Sequence, residues 1–308
     1  MRRVLMLANV VSGTASAGHH AFKIVELLSR QDCIVTLYPI DPRHDLTAEK
    51  AISETKGLFD TVVCYGGDGT MNHVVNTLIN EKLQVPICYI PGGSTNDFAK
   101  SIYNGTVPSL EKICRTLTDG KLFYYDIGSL NDTYFNYVAA FGAFTHVSYS
   151  TSQNVKNAIG YGAYILGVLA AIPESIGYRT HVRLEYDDGV LENDCFIGAV
   201  SNTTAVGGMK PVVLNNAELN DGLFEILLIK TPADIAELND TLTQLTRGNT
   251  DNNLVTVVQT KKARFTFDSE VSWTLDGEDG GSWSEVEFSV HPGAIPILLP
   301  DGGSGKKA

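Results

Sequence analysis

Short apolar segments alternate with helical patterns over about the first 125 residues, and this alternation restricts the fold more than any other feature. The four segments, each rich in β-branched or aromatic side chains, are residues 4–8, 34–38, 61–65 and 87–90. Such alternation favours a mainly parallel sheet covered by helices, with ligand-binding loops at the carboxyl ends of the strands. We therefore predict an α/β domain over residues 1–125.

The chain changes character from about Tyr124 onward, where strand-like runs are separated by turn residues. The predicted turns are at Asn131-Asp132, Asp187-Asp188-Gly189 and Asp276-Gly277. This pattern predicts a β-rich antiparallel domain over residues 126–292, with residues 293–308 returning to the first domain. Two helices are predicted within the second domain, at residues 155–172 and 234–247.

The net charge and the cysteine content restrict the partners and the compartment that we expect. A formal net charge of −12 over 308 residues argues against nucleic acid as a partner, because phosphate backbones are bound through concentrated Lys and Arg. The five cysteines form no Cys-x-x-Cys pair, which is typical of buried thiols in a reducing compartment. The apolar run near the start is too short for the core of a signal peptide. We therefore expect a cytoplasmic protein.

The segment Gly66-Gly67-Asp68-Gly69-Thr70 follows the third apolar run and precedes a helical pattern, as a phosphate-binding turn does. Its three glycines let successive main-chain N–H groups surround one anion. The carboxylate of Asp68 repels a phosphate unless a divalent cation lies between them, so the segment predicts a nucleotide with Mg²⁺. The alternative is a tight strand-to-helix connection in which Asp68 only caps the helix.

A second polar loop, residues 91–98, follows the fourth apolar run. Its polar and small residues are Gly92, Gly93, Ser94, Thr95, Asn96 and Asp97. By itself the loop fits an ordinary helix start capped by Ser94 or Asp97. Because it is expected at the same sheet edge as Asp68, it predicts the other wall of a nucleotide cleft, with Asp97 as a second carboxylate for a metal.

Two motifs in the β-rich domain carry acidic side chains. A hairpin turn accounts for Asp276 and Gly277 but not for Glu278, which follows them. An alcohol that accepts a phosphoryl group has to lose its proton, and Glu278 is the candidate base for that step. Asp221, which precedes Gly222, either forms a plain β-turn or holds a structural cation together with nearby carbonyl groups.

In their order along the chain these motifs resemble the diacylglycerol kinase catalytic-domain family, in its branch of bacterial soluble lipid kinases. The matching segments are residues 9–13, Gly-Gly-Asp-Gly-Thr at 66–70, Gly-Ser-Thr-Asn-Asp-Phe at 93–98, Asp-Ile-Gly at 126–128, Leu-Asn-Asp-Gly at 219–222 and Leu-Asp-Gly-Glu at 275–278. Each segment alone is weakly specific, and NAD kinases and phosphofructokinases share the first triple-glycine motif. The ordered set is specific. The sequence departs from the family at His73 and Ser94, where Glu and Thr are common.

The resemblance implies a two-domain fold like that of NAD kinases and diacylglycerol kinases, with ATP and Mg²⁺ as cofactors. The nucleotide-binding residues that it implies are Asn9, Ser12, Gly13, Gly66, Gly67, Asp68, Gly69, Thr70, Asn72, His73, Ser94, Thr95 and Asn96. It implies that Asp68, Asp97 and Asp126 surround the catalytic Mg²⁺ and that Asp68 and Glu278 are catalytic, Glu278 as the base. A structural Mg²⁺ is implied at Asp221, with the carbonyl groups of Glu218 and Leu223.

The sequence therefore predicts an ATP-dependent kinase of a lipid hydroxyl, with diacylglycerol as the first candidate acceptor. A sphingoid base, ceramide and phosphatidylglycerol stay open as acceptors. An NAD kinase and an inactive sensor of nucleotide or lipid are the rival functions. An acyl substrate implies reversible, peripheral association with a membrane surface. An edge strand of the β-rich domain offers a place for a homodimer to form.

Overall fold

The computed structural model of the protein describes residues 1–10, 17–93, 96–143, 177–203, 218–247 and 249–301. The chain divides into two compact units: residues 1–125 together with the segment from Pro292 onward, and residues 126–291. Four predicted nucleotide-binding residues lie outside the described residues, as does the predicted helix at 155–172; the four are Ser12, Gly13, Ser94 and Thr95.

The first unit is built on strands whose carboxyl ends meet at one edge. These strands are β1 (Arg2–Asn9), β2 (Cys33–Ile40), β3 (Thr61–Gly66) and β4 (Ile87–Pro91), in the spatial order β2-β1-β3-β4. Adjacent strands run parallel, and their last residues are in register: Asn9 faces Ile40, and Gly66 faces Pro91. The loops that follow β1, β3 and β4 therefore leave from the same edge of the sheet.

The helices of the first unit begin in different ways, two of them after an N-cap side chain that accepts from a free N–H group. They are α1 (Ala17–Ser29), α2 (Ala48–Glu54), α3 (Asp68–Asn80), α4 (Asp97–Ile102) and α5 (Leu110–Asp119), with a 3₁₀ turn at Pro42–His44. The hydroxyl of Thr47 accepts from the N–H of Lys50 before α2, and that of Ser109 accepts from Lys112 before α5. Strand β3 is buried on both faces, as its continuous apolar sequence requires.

The second unit is an antiparallel β structure. Its strands are β6 (Thr133–Phe135), β7 (Val138–Gly142), β8 (Thr180–Tyr186), β9 (Gly189–Ser201), β10 (Phe224–Lys230), β11 (Val255–Thr260) and β12 (Lys262–Leu275). Strands β5 (Lys121–Leu130) and β13 (Glu278–Leu299) each begin in one unit and end in the other. In this unit the order is β11-β10-β9-β7-β12-β13, and β8 pairs with both β9 and β12. The last part of β13 pairs with β4 in the first unit, where Ile297 faces Ile87.

Aromatic side chains fill the core of the second unit. The ring of Phe141 lies 4.7 Å from that of Trp273 and 5.1 Å from that of Phe267, both measured between ring centres. Phe135 packs edge-on against Phe224 at 5.7 Å. Such tilted and edge-to-face pairs are the favoured geometry for aromatic contacts and fix the sheet that carries the acidic motifs.

Local features of the second unit follow the sequence prediction closely. A helix predicted at residues 234–247 occurs as α6 (Ile235–Thr246), with Asp234 as its N-cap and Arg247 as its C-cap. Asn131 and Asp276 have positive φ angles of 49° and 51°, as expected for the turns predicted there. The five cysteines of the chain, of which four are in the first unit, are all buried and form no disulfide. Within the described ranges, no helix is long and apolar enough to cross a membrane.

Candidate functional site

Two glycines let the loops after β3 and β4 touch through their main chains. The N–H of Gly92 donates to the carbonyl of Gly66 at 2.8 Å. A Cβ added at Gly93 would lie 2.7 Å from the Cα of Gly67, a separation that real Cβ atoms do not adopt. The close approach of Gly67 and Gly93 therefore excludes any larger residue at position 93 unless the loops separate.

The Gly-Gly-Asp-Gly-Thr turn is also tied to the end of β1. The side-chain amide of Asn9 donates to the hydroxyl oxygen of Thr70 at 2.8 Å. A Cβ at Gly66 would lie 2.6 Å from the same hydroxyl oxygen. Asn9, Gly66 and Thr70, which the sequence predicts as nucleotide-binding residues, are thus neighbours in the first unit.

Helix α3 begins inside the turn, at Asp68, with Gly67 as its N-cap. Gly67 has no side chain that could accept from the N–H groups of the first helical turn. Those N–H groups and the positive end of the helix dipole favour an anion, which fits the predicted contact with phosphate. Asn72 lies in the next turn and accepts from the side-chain amide of Asn76 through both its carbonyl and its amide oxygen, at 3.0 and 3.1 Å.

His73, also on α3, is exposed and pairs with Glu49 of α2. Its Nδ1 lies 3.2 Å from Oε1 of Glu49. The hydrogen bond with His73 is the main reason that the pKa of Glu49 falls from 4.5 to about 2. The position at which the family commonly has Glu is therefore a histidine with a carboxylate from the neighbouring helix beside it.

Asp68 caps helix α4. Its Oδ2 accepts from the main-chain N–H of Asp97 at 3.0 Å, and its Oδ1 accepts from that of Phe98 at 3.2 Å. The side chain of Asp97 is in turn within 3.3 Å of Nζ of Lys100, one helical turn further on. Asp68 therefore caps a helix, as the alternative interpretation expects. The capped helix is α4, after the second polar loop, and not α3, which begins at Asp68 itself.

Asn96 gives that loop its shape. It has a left-handed φ of 53°, its Oδ1 accepts from the N–H of Gly93 at 2.9 Å, and its Nδ2 donates to the carbonyl of Gly93 at 2.7 Å. Asn tolerates this conformation better than most residues because its short side chain bonds to the nearby main chain. Asn96 thereby sets the direction in which α4 and Asp97 leave the sheet.

A buried tyrosine of β4 donates a hydrogen bond to the turn. The hydroxyl of Tyr89 donates to the carbonyl of Gly66 at 3.2 Å. Burial first, and the negative charge of Asp68 second, raise the pKa of Tyr89 well above its ordinary value. Tyr89 is therefore a permanent hydrogen-bond donor under the turn.

In the second unit, Asp126 holds the loop of residues 218–223. The side chain of Asp126 is 1% exposed, and its Oδ2 accepts from the N–H of Gly222 at 2.6 Å. The N–H of Asp126 donates to the carbonyl of Leu219 at 3.1 Å. Asn202, fully buried, donates its side-chain amide to the carbonyls of Asp126 and Leu219 at 3.2 and 3.4 Å. Asp126 and this loop therefore form one hydrogen-bonded unit.

The same loop carries the residues implied for a structural cation. Oδ1 of Asp221 accepts from the N–H of Leu223 at 2.9 Å, which closes an Asx turn. Burial, followed by the charge of Glu218, raises the pKa of Asp221 above its ordinary value. A carboxylate whose ionised form is disfavoured in this way, with the carbonyls of Glu218 and Leu223 in the same loop, suits Mg²⁺ or Ca²⁺.

Glu278 is the first residue of β13 and is exposed, directly after the turn formed by Asp276 and Gly277. Asp276 is only 5% exposed. Its carboxylate accepts from the main-chain N–H groups of Asn136, Tyr137 and Val138 at 2.6, 2.9 and 3.1 Å. This turn is therefore anchored to the start of β7 more firmly than a hairpin requires.

The predicted site residues fall into two sets, one on each unit. The first unit brings together Asn9, Gly66, Gly67, Asp68, Gly69, Thr70, Asn96 and Asp97. The second unit brings Asp126 together with the loop of Glu218, Asp221 and Leu223 and carries Glu278 on the hairpin.

In the part of the chain that the structure describes, no three His, Cys, Asp or Glu side chains form a metal-binding group. Mg²⁺ is commonly held by one or two carboxylates plus water and substrate phosphates, which is the number that Asp68 and Asp97 supply on the first unit.

Comparisons with known proteins match both halves of the chain. Residues 3–130 match the model described as "Diacylglycerol kinase catalytic domain", and residues 141–299 match "YegS C-terminal NAD kinase beta sandwich-like domain". A diacylglycerol kinase of Staphylococcus epidermidis is 30% identical over 236 residues, which cover 76% of this chain and 72% of the relative. The chain belongs to the diacylglycerol kinase family.

Other members of the diacylglycerol kinase family cover more of the chain at slightly lower identity. The diacylglycerol kinase of Bacillus subtilis is 28% identical over 287 residues, which are 91% of each chain. Two crystal structures from Bacillus anthracis share the fold at 21% identity, with TM-scores of 0.83 and 0.78. They cover 98% of this chain and 96% and 98% of their own. The two-domain layout of this diacylglycerol kinase family chain is therefore that of its structural relatives.

Three residues of this diacylglycerol kinase family chain lie beside predicted site residues without having been predicted themselves. Lys100 contacts Asp97, and the signal for it in the sequence is the spacing of three residues on one helix. Asn202 has no such signal, since only the fold brings it to Asp126. The sequence identifies Asp276 only as a turn residue, so its additional contacts are not predicted.

Proposed function

We propose that this member of the diacylglycerol kinase family transfers the γ-phosphate of ATP to a lipid hydroxyl, with diacylglycerol as the acceptor and phosphatidic acid as the product. The observation that carries the proposal is the cap of α4 by Asp68. It ties the phosphate-type turn to the second polar loop, so that two motifs from different parts of the chain act as one nucleotide-binding edge. Family membership supplies the kinase reaction.

On the first unit, the N–H groups at the start of α3 bind the phosphates of the nucleotide. Asn9, Asn72, His73 and Asn96 are proposed to line the same edge, together with Ser12, Gly13, Ser94 and Thr95. Asp68 and Asp97 are the proposed carboxylates for the catalytic Mg²⁺ on this unit, and Asp126 is the one on the second unit. When bound, Mg²⁺ neutralises negative charge on the phosphates.

On the second unit, Glu278 accepts the proton of the lipid hydroxyl as the hydroxyl oxygen forms a bond with the γ-phosphorus. The bond from the γ-phosphorus to its bridging oxygen breaks, and ADP leaves with that oxygen. Exposure of Glu278 suits this role, because the acceptor has to reach it from solution or from a membrane. Asp221, with the carbonyls of Glu218 and Leu223, is proposed to hold a structural Mg²⁺.

An acceptor panel tests the substrate. Radiolabelled ATP is supplied with vesicles that contain diacylglycerol, a sphingoid base, ceramide or phosphatidylglycerol, and separately with NAD, because the model matched by the carboxyl-terminal half also names NAD kinase. We expect label in phosphatidic acid. Label in NADP alone overturns the proposal, and binding of ATP without transfer to any acceptor indicates an inactive sensor.

Contact with a membrane follows from the proposed substrate, and we propose that it is peripheral and reversible. With a net charge of −12, general attraction to anionic lipid is not favoured, so binding should depend on the diacylglycerol content of the vesicles. Co-sedimentation with vesicles of varied diacylglycerol content measures this.

The proposed assembly is a homodimer that forms through β11. In the described part of the second unit, β11 has β10 as its one neighbour, and sedimentation velocity measures the oligomeric state.

A further inference from the structure

A buried carboxylate joins the hairpin of β12 and β13 to the main chain at the start of β7. Oδ2 of Asp276 accepts from the N–H of Asn136 at 2.6 Å, and Oδ1 accepts from those of Tyr137 and Val138 at 2.9 and 3.1 Å. The N–H of Asp276 donates to the carbonyl of Val138 at 2.8 Å. We call Asp276 and these main-chain groups of residues 136–138 the Asp276 clamp.

The turn itself does not require such a clamp. Asp276 and Gly277 have φ angles of 51° and 90°, as in a two-residue hairpin turn of the type that favours Asn-Gly and Asp-Gly. Such turns form readily at exposed positions with the aspartate in water. Here the aspartate is 5% exposed, and both of its oxygens accept from the main chain of a different strand connection.

The clamp lies next to the proposed base. Leu275 faces Glu278 across the turn, so Glu278 follows Asp276 by two residues on a hairpin with a fixed register. Strand β12 continues to pair with β7 through Leu275 and Ala139, directly beyond the clamped residues. A change in the clamp therefore acts on the turn that directly precedes Glu278.

Building on the proposed function, we propose that Asp276 is a positioning residue that holds Glu278 in the place where it accepts the proton of the lipid hydroxyl. A second role for Asp276 as a base of its own fits less well, because three N–H donors already occupy its oxygens and its side chain is buried. Ionised carboxylates are acceptor-only groups, and N–H donors of this kind hold them strongly.

The variant Asp276→Asn tests the clamp because it replaces one acceptor oxygen by an NH₂ group that faces an N–H donor. We expect kcat to fall about 100-fold, the size of effect that a displacement of about 1 Å at a reacting group produces. The KM values for ATP and for lipid should change by less than about twofold, since the clamp makes no proposed contact with either substrate. In a Glu278→Gln background, Asp276→Asn should lower kcat by less than about twofold more.

Asp187→Asn is the control in the same unit, at an exposed aspartate that also accepts from a main-chain N–H group of another segment. Oδ2 of Asp187 accepts from the N–H of Lys261 and the hydroxyl of Thr260 at 3.0 and 2.9 Å, at a different hairpin. We expect this variant to keep the kcat of the wild type. A kcat of Asp276→Asn that matches the wild type overturns the proposal, as does a loss that is equally large in the Glu278→Gln background.

Amide hydrogen exchange separates the clamp from the proposed function. Exchange at residues 136–138 should be at least about tenfold faster in Asp276→Asn and unchanged in Asp187→Asn, whether or not the protein phosphorylates lipid. Unchanged exchange at 136–138 overturns the clamp, whereas a wild type that transfers phosphate to no lipid overturns only the proposed function.

A second variant serves if Asp276→Asn does not fold. Tyr137→Phe removes only the hydroxyl group that donates to the carbonyl of Asp276 at 3.4 Å. We then expect kcat to fall about threefold with unchanged KM values, as for the loss of one modest hydrogen bond. An unchanged kcat in that variant overturns the proposal.

Discussion

The carboxylate oxygen Oδ2 of Asp68 accepts a hydrogen bond from the main-chain N–H of Asp97 at 3.0 Å, and the two residues are 29 positions apart in the sequence. The contact makes one structural unit of the turn after β3 and the loop after β4. Gly67 and Gly93 touch in the same region, and Asn96 closes the second loop on Gly93. Any change at Asp68 therefore acts on the folded loop as well as on the proposed chemistry.

Asp68→Ala should lower turnover by about 100-fold or more, because it removes a proposed catalytic carboxylate. It should also lower the free energy of unfolding by about 1 kcal/mol, the usual cost of losing a helix cap. Asp234→Ala is the control, since Asp234 caps α6 by accepting from the N–H of Glu237 at 2.9 Å. Denaturant unfolding should show similar losses of stability in the two variants. Steady-state kinetics should show a loss of turnover in Asp68→Ala alone. Near-normal turnover of Asp68→Ala contradicts its catalytic role.

Gly93→Ala should weaken nucleotide binding, because the new methyl group would lie 2.7 Å from the Cα of Gly67 and push the two loops apart. Overpacking of this kind costs about 1–3 kcal/mol, so the affinity for ATP with Mg²⁺ should fall about 5- to 150-fold. Gly189→Ala is the control, since its nearest neighbour is the Tyr186 hydroxyl at 3.9 Å. Isothermal calorimetry measures both variants. Equal affinities in the two would show that the loop contact does not shape the nucleotide site.

Two histidines of the second unit should give opposite pH dependences of stability. Burial lowers the pKa of His291, which contacts the hydroxyl of Ser129 at 2.9 Å and the ring of Tyr134. The hydrogen bond with Asp194 raises the pKa of His181. Against an unfolded value near 6.5, the contribution of His291 is present above about pH 6.5 and is lost as the pH falls. That of His181 is present below about pH 6.5 and is lost as the pH rises through its folded pKa.

The variants His291→Asn and His181→Asn remove these contributions one at a time. Relative to the wild type, His291→Asn should lose more stability at pH 8 than at pH 5.5, and His181→Asn should lose more at pH 5.5 than at pH 8. Urea unfolding at the two pH values measures the differences. The same sign of pH dependence in both variants would contradict the assignment.

Removal of divalent cations should destabilise the wild type through the loop of residues 218–223. Burial, followed by the charge of Glu218, disfavours the ionised form of Asp221, and a cation bound at Asp221 removes that cost. At a Mg²⁺ concentration about 100 times Kd, the gain in unfolding free energy is about 2.7 kcal/mol. Thermal unfolding with Mg²⁺ or EDTA should show this gain in the wild type and in Asp187→Asn but not in Asp221→Asn. An undiminished gain in Asp221→Asn places the cation elsewhere.

Much of the fold could be predicted because single segments carry their own signals. Strand β3 is a continuous apolar run, and it begins at Thr61 as its sequence indicates. Helix α6 begins after Asp234 because an Asp before an amphipathic stretch is a strong N-cap signal. The turns at Asn131 and Asp276 follow from residue types that tolerate positive φ.

Contacts between distant segments could not be predicted in the same way. That Asp68 caps α4, and not α3, depends on how closely Gly67 and Gly93 approach each other. Asn202 donates to the buried carbonyls of Asp126 and Leu219, and no local sequence pattern predicts these hydrogen bonds. Residue type and spacing predict which side chains can do chemistry, whereas their hydrogen-bond partners depend on the packed fold.

The central claim is tested most directly by the transfer of the γ-phosphate to diacylglycerol. Purified wild type and Glu278→Gln are incubated with labelled ATP, Mg²⁺ and vesicles that contain diacylglycerol, and the lipid product is identified by mass spectrometry. The account predicts phosphatidic acid from the wild type and at least about 100-fold less from Glu278→Gln, with unchanged binding of ATP. A wild type that forms no phosphorylated lipid, or a Glu278→Gln variant that forms it at the normal rate, would contradict the account.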